Sequence, residues 1–128
     1  MAGRKVLVAC VPGELHEFPA RLLADSLDMA GYDVRFLGAD VPLPDLLDEI
    51  ARENPDLLAL SVTMVFNLRS LRDTLKSVRA QHPALTIAAG GLACEHMASL
   101  EQTPRTHVLS GDPQKFIERL ETLIREAA

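Results

Sequence analysis

The buried framework of this chain begins with the segment Lys5-Val-Leu-Val-Ala-Cys10, a short and nearly continuous apolar run. Such a run is typical of a strand that is buried on both faces of a parallel sheet. The loop that follows, Pro12-Gly-Glu-Leu-His-Glu-Phe-Pro19, places a carboxylate and an imidazole two residues apart, directly before an amphipathic helix pattern. In an open α/β sheet, ligands bind where strands like this one end.

The same buried-strand pattern recurs along the chain and alternates with helix patterns. We predict four further strands at residues 34–37, 56–62, 85–89 and 106–109, and helices at residues 19–30, 44–53, 68–80, 95–100 and 116–124. Strands that alternate with helices through short loops form a parallel sheet with helices on both faces. The sequence therefore predicts an α/β, flavodoxin-like (Rossmann-like) doubly wound sheet of five strands in the order 2-1-3-4-5, in a single domain over residues 1–128.

Composition and charge exclude several classes of partner. The chain has 128 residues, of which 48% are hydrophobic, so it can bury a full core. It has no apolar run near the roughly 20 residues that span a bilayer, and no signal-peptide pattern, so we expect no membrane contact and a cytoplasmic location. A net charge of −5 without a basic stripe gives no surface for direct nucleic-acid binding. Cys10 and Cys94 are expected as two reduced, buried thiols.

Three loops should meet at the carboxyl edge of the sheet, carrying Glu14 and His16, then Ser61 and Thr63, then Gly90 and Gly91. A phosphoacceptor receiver would need an acidic pair after the first strand and an Asp at the end of the third, where this chain has Cys10-Val11 and Ser61. A flavodoxin phosphate loop and a Gly-x-Gly-x-x-Gly dinucleotide loop are also missing after the first strand. The usual occupants of this fold are therefore excluded.

The remaining side chains favour a bulky ligand that contains a metal. A metal-bound His commonly has its second ring nitrogen held by a carboxylate, and Glu14 is placed to do this for His16. A glycine pair after a buried strand lets a large ligand approach the backbone. A zinc site formed by Cys10, Cys94, His96 and His16 is disfavoured, because the first and fourth strands lie roughly 10 Å apart and no compact ligand spacing exists.

The loop residues resemble the motif of the B12-binding (cobalamin-binding) domain family, Asp-x-His-x-x-Gly followed by Ser-x-Leu and Gly-Gly. Here Glu14-Leu-His-Glu-Phe-Pro19 is followed by 41 residues, then Ser61-Val-Thr63, then 26 residues, then Gly90-Gly91, and this spacing matches the family throughout. The flanking segments 13–18 and 38–42 are most similar to the B12 domains of cobalamin-dependent light-sensing regulators, in which Glu precedes the His. The similarity covers nearly the whole chain.

The resemblance implies a cofactor, adenosylcobalamin or methylcobalamin, bound with its benzimidazole detached and with His16 as the lower axial ligand of cobalt. Glu14 would orient His16, Leu15 and Phe18 would pack against the corrin, Ser61 would hydrogen-bond the displaced benzimidazole, Thr63 would line the tail channel, and Gly90 and Gly91 would make room for the nucleotide tail. The full set of implied cofactor-binding residues is Glu14, Leu15, His16, Phe18, Ser61, Val62, Thr63, Gly90, Gly91 and Leu92, with no catalytic residue.

The chain departs from the family pattern at two positions, where Pro19 replaces Gly and Thr63 replaces Leu. Pro19 removes a backbone donor and fixes φ, so the loop beneath the corrin could differ in shape, or binding could be lost. The sensors cap the upper corrin face with a helical bundle that carries a Trp, whereas this chain has no Trp. We therefore expect an open upper face, or one covered by a capping or effector domain or by self-association.

Two functions remain open at this point. The sequence favours a binding module, the sensor or regulatory B12 domain of a signalling system with light as a candidate signal, over an enzyme. The alternative is a stand-alone corrinoid carrier subunit of a B12-dependent mutase or methyltransferase. A family member that has lost cobalamin or binds another ligand is the third possibility.

Overall fold

The computed structural model describes residues 4–97, 105–109 and 113–127. The strands are β1 (Lys5–Cys10), β2 (Asp33–Gly38), β3 (Leu57–Ser61), β4 (Thr86–Gly90) and β5 (Thr106–Val108). They form one parallel sheet in the order β2-β1-β3-β4-β5. The predicted fold class and strand order are therefore confirmed.

Within the described residues, four α-helices connect or follow the strands: α1 (Phe18–Met29), α2 (Leu43–Glu53), α3 (Leu68–Gln81) and α4 (Pro113–Glu126). Proline lies in the first turn of α1 and of α2, where the backbone N–H has no partner within the helix. The last helix begins three residues before the predicted 116–124, at another proline. These differences at helix ends leave the predicted order of elements unchanged.

The short helix predicted at residues 95–100 is wrong in position and type. The structure has a 3-10 helix at Leu92–Met97, and residues 98–100 lie outside the described residues. The turn begins early because the Cys94 amide donates to the Gly91 carbonyl at 3.0 Å, while Ala93 and Cys94 are buried. A second 3-10 helix, Val65–Asn67, precedes α3 and was not predicted.

The two faces of the sheet carry separate hydrophobic layers. On β1, Leu7 and Ala9 belong to the layer that packs on α2 and α3, whereas Val6, Val8 and Cys10 belong to the layer that packs on α1 and α4. Every residue of β3 and β4 is buried. The apolar runs are thus strands covered on both sides, as their composition predicts.

The carboxyl ends of the three central strands are aligned in a row. Cys10 pairs with Ser61 and Ser61 pairs with Gly90. Beyond these pairs, the Val11 amide donates to the Ser61 carbonyl at 3.3 Å, and the Val62 amide donates to the Gly90 carbonyl at 3.0 Å. The loops after β1, β3 and β4 therefore start side by side.

In the described part of the chain, no helix combines the length and the apolar composition needed to cross a membrane.

Candidate functional site

The carboxylate of Glu14 is fully buried at the carboxyl edge of the sheet and is held by donors from a second loop. Its Oε1 accepts hydrogen bonds from the backbone amides of Thr63 at 2.7 Å and Met64 at 2.9 Å, and from Asn67 Nδ2 at 3.1 Å. Burial raises the pKa of Glu14, but the hydrogen bonds from Met64, Thr63, His16 and Asn67 outweigh it and lower the pKa to about 2. Glu14 is thus an anion at neutral pH.

The imidazole of His16 is oriented by this anion. Its Nδ1 lies 2.8 Å from Glu14 Oε2, which also accepts the His16 backbone amide at 3.2 Å. An ionised carboxylate only accepts hydrogen bonds, so Nδ1 carries the proton and the lone pair of a neutral ring is on Nε2. The His16 side chain is 54% exposed, so a metal can approach it. A carboxylate on the second ring nitrogen is the arrangement that metal-bound histidines commonly have.

The loop after β2 supports the His16 loop from the other side. The Gly13 amide donates to Asp40 Oδ1 at 2.7 Å, and the Asp40 amide donates to the Glu14 carbonyl at 2.8 Å. The Ala39 amide donates to Glu17 Oε1 at 3.3 Å. The loop is therefore tied to its neighbour on both sides of His16, by backbone groups of Gly13 and Glu14 before it and by the Glu17 side chain after it.

Asn67 is a site residue that the sequence analysis did not single out. It is buried, and its Nδ2 contacts both Glu14 Oε1 and, at 3.4 Å, the Gly13 carbonyl. No motif marks it, because its position depends on the 3-10 helix that precedes α3. The only signal was a polar residue between apolar Phe66 and Leu68.

Five exposed apolar side chains lie at the same edge of the sheet as His16. Leu15 and Phe18 come from the loop after β1 and the start of α1, and Leu92 comes from the loop after β4; their contact with the corrin stays a prediction. Val65 and Phe66, which the sequence analysis did not select, add two more exposed side chains from the loop after β3. Clustered exposed apolar groups mark a surface that a ligand or partner covers.

A cavity of about 370 Å³ opens beside this surface, between α1 and α4 and above the sheet. Four predicted cofactor-binding residues line it: Ser61, Gly90, Gly91 and Leu92. Pro19 also lines it, in the first turn of α1. The cavity walls are otherwise apolar, with Leu22, Leu23 and Phe116 among them.

The two glycines at the end of β4 are required for different reasons. A Cβ added to Gly90 would lie 1.8 Å from the ring of Phe116, so this glycine leaves room for a side chain of α4. Gly91 has φ of +125°, and a Cβ there would lie 2.2 Å from the Val62 carbonyl oxygen. Gly91 thus permits the close approach of the loops after β3 and β4. Gly90 leaves space for the Phe116 ring at the edge of the cavity.

The remaining predicted site residues contribute through their backbone. Thr63 does not line the cavity; its amide binds Glu14 instead. The Val62 side chain is fully buried in the core, and its amide donates to Gly90. Their roles toward a cofactor stay predictions.

The two thiols are buried and protonated at neutral pH. Burial, together with the charges of Glu14 and Glu17, raises the pKa of Cys10 to about 11, and burial raises the pKa of Cys94 to about 11. Among the residues that the structure describes, no three His, Cys, Asp or Glu side chains are grouped to hold a metal ion. The side chain of His96 lies outside the described residues.

Comparisons with known proteins agree with the geometry. The HTH-type transcriptional repressor CarH of Myxococcus xanthus is 30% identical over 110 residues, which cover 85% of this chain and 37% of that protein. Dimethylamine corrinoid protein 3 of Methanosarcina acetivorans is 25% identical over 71 residues, covering 56% of this chain and 33% of that protein. This chain therefore spans about a third of the length of these relatives.

The fold is shared with the methanol:cobalamin methyltransferase complex MtaBC from Methanosarcina barkeri, with a TM-score of 0.82 at 18% identity over 98% of this chain and 48% of that chain. A family model described as B12 binding domain matches residues 4–113. That match covers most of the chain, which therefore belongs to the B12 binding domain family and has cobalamin as its cofactor.

Proposed function

We propose that this domain holds cobalamin with its benzimidazole detached from cobalt and with His16 Nε2 as the lower axial ligand. The observation that carries this proposal is the 2.8 Å contact between His16 Nδ1 and Glu14 Oε2. A fully buried carboxylate with four other hydrogen-bond donors fixes the tautomer and the ring orientation before any metal arrives. Such preorganisation lowers the cost of ligation.

The surroundings of His16 fit the rest of the cofactor. A corrin ring is broad and largely apolar at its face, and the exposed side chains of Leu15, Phe18, Val65, Phe66 and Leu92 offer it a matching surface. The adjoining cavity of about 370 Å³ can take the detached tail. Bound cobalamin supplies a cobalt centre whose upper ligand can be exchanged or released.

The test is the absorption spectrum of cobalamin mixed with purified protein. We expect the base-on spectrum at neutral pH to change to that of cobalamin ligated by a protein imidazole. His16→Ala should abolish this change, whereas the control His82→Ala should retain it, because His82 lies at the end of α3, away from the site. An unchanged spectrum for the unmodified chain would overturn the proposal that His16 is the lower ligand of cobalt.

For the biological role, we infer a regulatory or sensor domain rather than an enzyme. CarA and CarH of Myxococcus xanthus, both named transcriptional repressors, match 77% and 85% of this chain at 30% identity. The dimethylamine corrinoid proteins match 56% at 22–27% identity. The broader match favours regulation, with light acting on the upper cobalt–carbon bond as the candidate signal.

A corrin bound on this surface would leave its own apolar upper face exposed, which favours a protein partner above it, either a capping or effector domain or a second copy of this chain. The mass of the adenosylcobalamin complex in solution, measured in the dark and after illumination, tests the sensor role. We expect the mass, or the complex with the partner, to change with light. An identical mass in both conditions, with an intact partner complex, would contradict light sensing.

The carrier role rests on a different observation, the shared fold with the methanol:cobalamin methyltransferase complex and the similarity to corrinoid proteins. A carrier would pass a methyl group between bound cobalamin and a methyltransferase subunit. Turnover of protein-bound methylcobalamin by a methyltransferase encoded beside this chain would favour the carrier, and its absence would favour the sensor.

A further inference from the structure

The β-turn that leads from β1 into the His16 loop has Pro12 and Gly13 as its two central residues. The Glu14 amide closes the turn by donating to the Val11 carbonyl at 3.0 Å. Gly13 has a φ of +88°, which is the conformation of the third residue in a type II turn. Type I and type II turns differ in the way the central peptide faces. The peptide between Pro12 and Gly13 therefore determines how the chain enters the His16 loop.

This central peptide is bound at both ends by neighbouring elements. Its carbonyl, from Pro12, accepts a hydrogen bond from Ser70 Oγ of α3 at 2.7 Å. Its amide, from Gly13, donates to Asp40 Oδ1 in the loop after β2, also at 2.7 Å, a short distance that is typical of a carboxylate acceptor. Asp40 donates its own amide to the Glu14 carbonyl at 2.8 Å. Asp40 thus contacts the turn twice, once through its side chain and once through its backbone.

Asp40 makes these contacts from an uncommon backbone conformation. Its φ is +47°, in the left-handed region, which is unfavourable for most side chains but which Asp and Asn tolerate. Aspartate or asparagine at this position supplies both the conformation and an oxygen acceptor. Glycine supplies the conformation alone, and alanine supplies neither.

Building on the proposed function, we propose that Asp40 is a positioning residue for the cobalt ligand His16. Its two hydrogen bonds fix the backbone of Gly13 and Glu14. The Glu14 carboxylate in turn orients the imidazole, with Oε2 at 2.8 Å from His16 Nδ1. Asp40 does not line the apolar cavity between α1 and α4, so its effect on cobalamin passes through His16.

A double-mutant cycle on the dissociation constant for cobalamin tests this coupling. Asp40→Ala should weaken binding about tenfold in the unmodified chain, which is the effect of losing a hydrogen bond to a charged acceptor. In the His16→Ala background, the same substitution should change the dissociation constant by less than about twofold, because the ligand through which Asp40 acts is absent. Equal weakening in both backgrounds would show a general role in the shape of the loop and would overturn the proposal.

Two further substitutions identify what Asp40 supplies. Asp40→Asn keeps an oxygen acceptor and a side chain that tolerates the left-handed backbone, so its affinity should stay within about threefold of that of the unmodified chain. Asp40→Gly keeps the conformation without the acceptor and should bind as weakly as Asp40→Ala. It also replaces Asp40→Ala in the cycle if the alanine variant does not fold. Full affinity in Asp40→Gly, or no recovery in Asp40→Asn, would contradict positioning through the side-chain hydrogen bond.

The matched control is Asp48→Ala. Asp48 is an exposed carboxylate of α2 that lines the same surface cavity as Asp40. It makes no hydrogen bond to residues 12–19, all of which the structure describes, so Asp48→Ala should bind cobalamin as tightly as the unmodified chain. Weakening in Asp48→Ala equal to that in Asp40→Ala would show that only the negative charge of this region matters.

The outcomes separate this inference from the proposed function. If His16→Ala abolishes the spectral change of cobalamin but Asp40→Ala weakens binding equally in both backgrounds, only the positioning role of Asp40 fails. If the unmodified chain leaves the spectrum of cobalamin unchanged, the proposed function fails, and the positioning role fails with it.

Discussion

Glu14 shows how a buried charge can be kept ionised by geometry alone. Its side chain has no exposed surface, yet hydrogen bonds from Met64, Thr63, His16 and Asn67 lower its pKa from 4.5 to about 2. Two of these donors are backbone amides, which no substitution of their own residues except by proline removes. The anion that orients His16 is therefore set by the path of the loop after β3.

Because the pKa of Glu14 is lower in the folded chain than in the unfolded chain, the free energy of unfolding depends on pH between about 4.5 and 2. In the unfolded chain, Glu14 binds a proton as the pH falls through about 4.5, whereas the folded chain resists until about pH 2. The stabilisation is fully present above pH 4.5 and is lost on acidification, by about 2 kcal/mol at pH 3 and about 3 kcal/mol at pH 2. We expect Glu14→Gln to lack this component.

Urea unfolding of both proteins at pH 7, 4 and 3 measures the effect. The free energy of unfolding should fall more steeply with acid in the unmodified chain than in Glu14→Gln. Parallel pH dependences for the two proteins would show that Glu14 ionises in the folded state as it does in water.

At the end of β4, two adjacent glycines make close contacts of different kinds. Gly91 lies against the backbone of Val62, which cannot move aside, whereas Gly90 lies against the side chain of Phe116, which can. Gly91→Ala would place a Cβ against the Val62 carbonyl at a backbone φ of +125°, and both loops are tied by the Val62–Gly90 hydrogen bond. We expect it to cost at least about 2 kcal/mol of folding stability. Gly90→Ala meets only the ring of Phe116, a side chain that can be removed.

A double-mutant cycle distinguishes the two glycines. Combining Gly90→Ala with Phe116→Ala should cost less than the sum of the two single changes, because the clash is gone when the ring is absent. For Gly91→Ala combined with Phe116→Ala, the loss of folding free energy should equal the sum of the losses in the two single variants. Thermal or urea unfolding gives the four free energies of each cycle, and additivity at Gly90 would contradict the contact between Gly90 and the Phe116 ring.

Arg79 joins three elements at the opposite edge of the sheet. From α3, its Nη1 donates to the carbonyls of His82, Pro83 and Leu85, and its Nη2 donates to the Arg105 carbonyl and to Thr106 Oγ1. Burial, and the charge of Arg105, lower its pKa. The guanidinium fork thus connects the end of α3 to the start of β4 and of β5.

A lysine cannot reproduce this fork, because it is a single point charge. We expect Arg79→Lys to destabilise the fold by about 1–3 kcal/mol, while the affinity for cobalamin stays within about twofold, since the site lies at the other edge. Arg72→Lys, on the exposed face of the same helix, is the matched control and should change neither quantity. A large loss of affinity without a loss of stability would contradict this structural role.

For the molecule as a whole, the sequence predicts those features that depend on local pattern. Continuous apolar runs gave the parallel sheet, and the spacing of the Glu14, Ser61 and Gly90 loops gave the family. Asn67, Val65 and Phe66 could not be predicted, since their positions depend on the short 3-10 helix before α3, which no local pattern in the sequence indicates. The helix predicted at residues 95–100 was wrong because a tertiary contact, the burial of Ala93 and Cys94, starts the turn earlier.

Cobalamin should stabilise the entire fold, because its proposed contacts join three loops and two helices of one cooperative unit. A ligand that binds only the native state at one hundred times its dissociation constant raises the free energy of unfolding by about 2.7 kcal/mol. For a chain of this length, that corresponds to a rise in Tm on the order of 10 °C. Thermal unfolding with and without cobalamin measures this rise in Tm.

At the same cobalamin concentration, His16→Ala should show a much smaller rise in Tm, because its weaker binding leaves less of the native state occupied. A rise of equal size in both proteins would show that His16 contributes nothing to affinity and that the apolar surface and the cavity hold the cofactor alone.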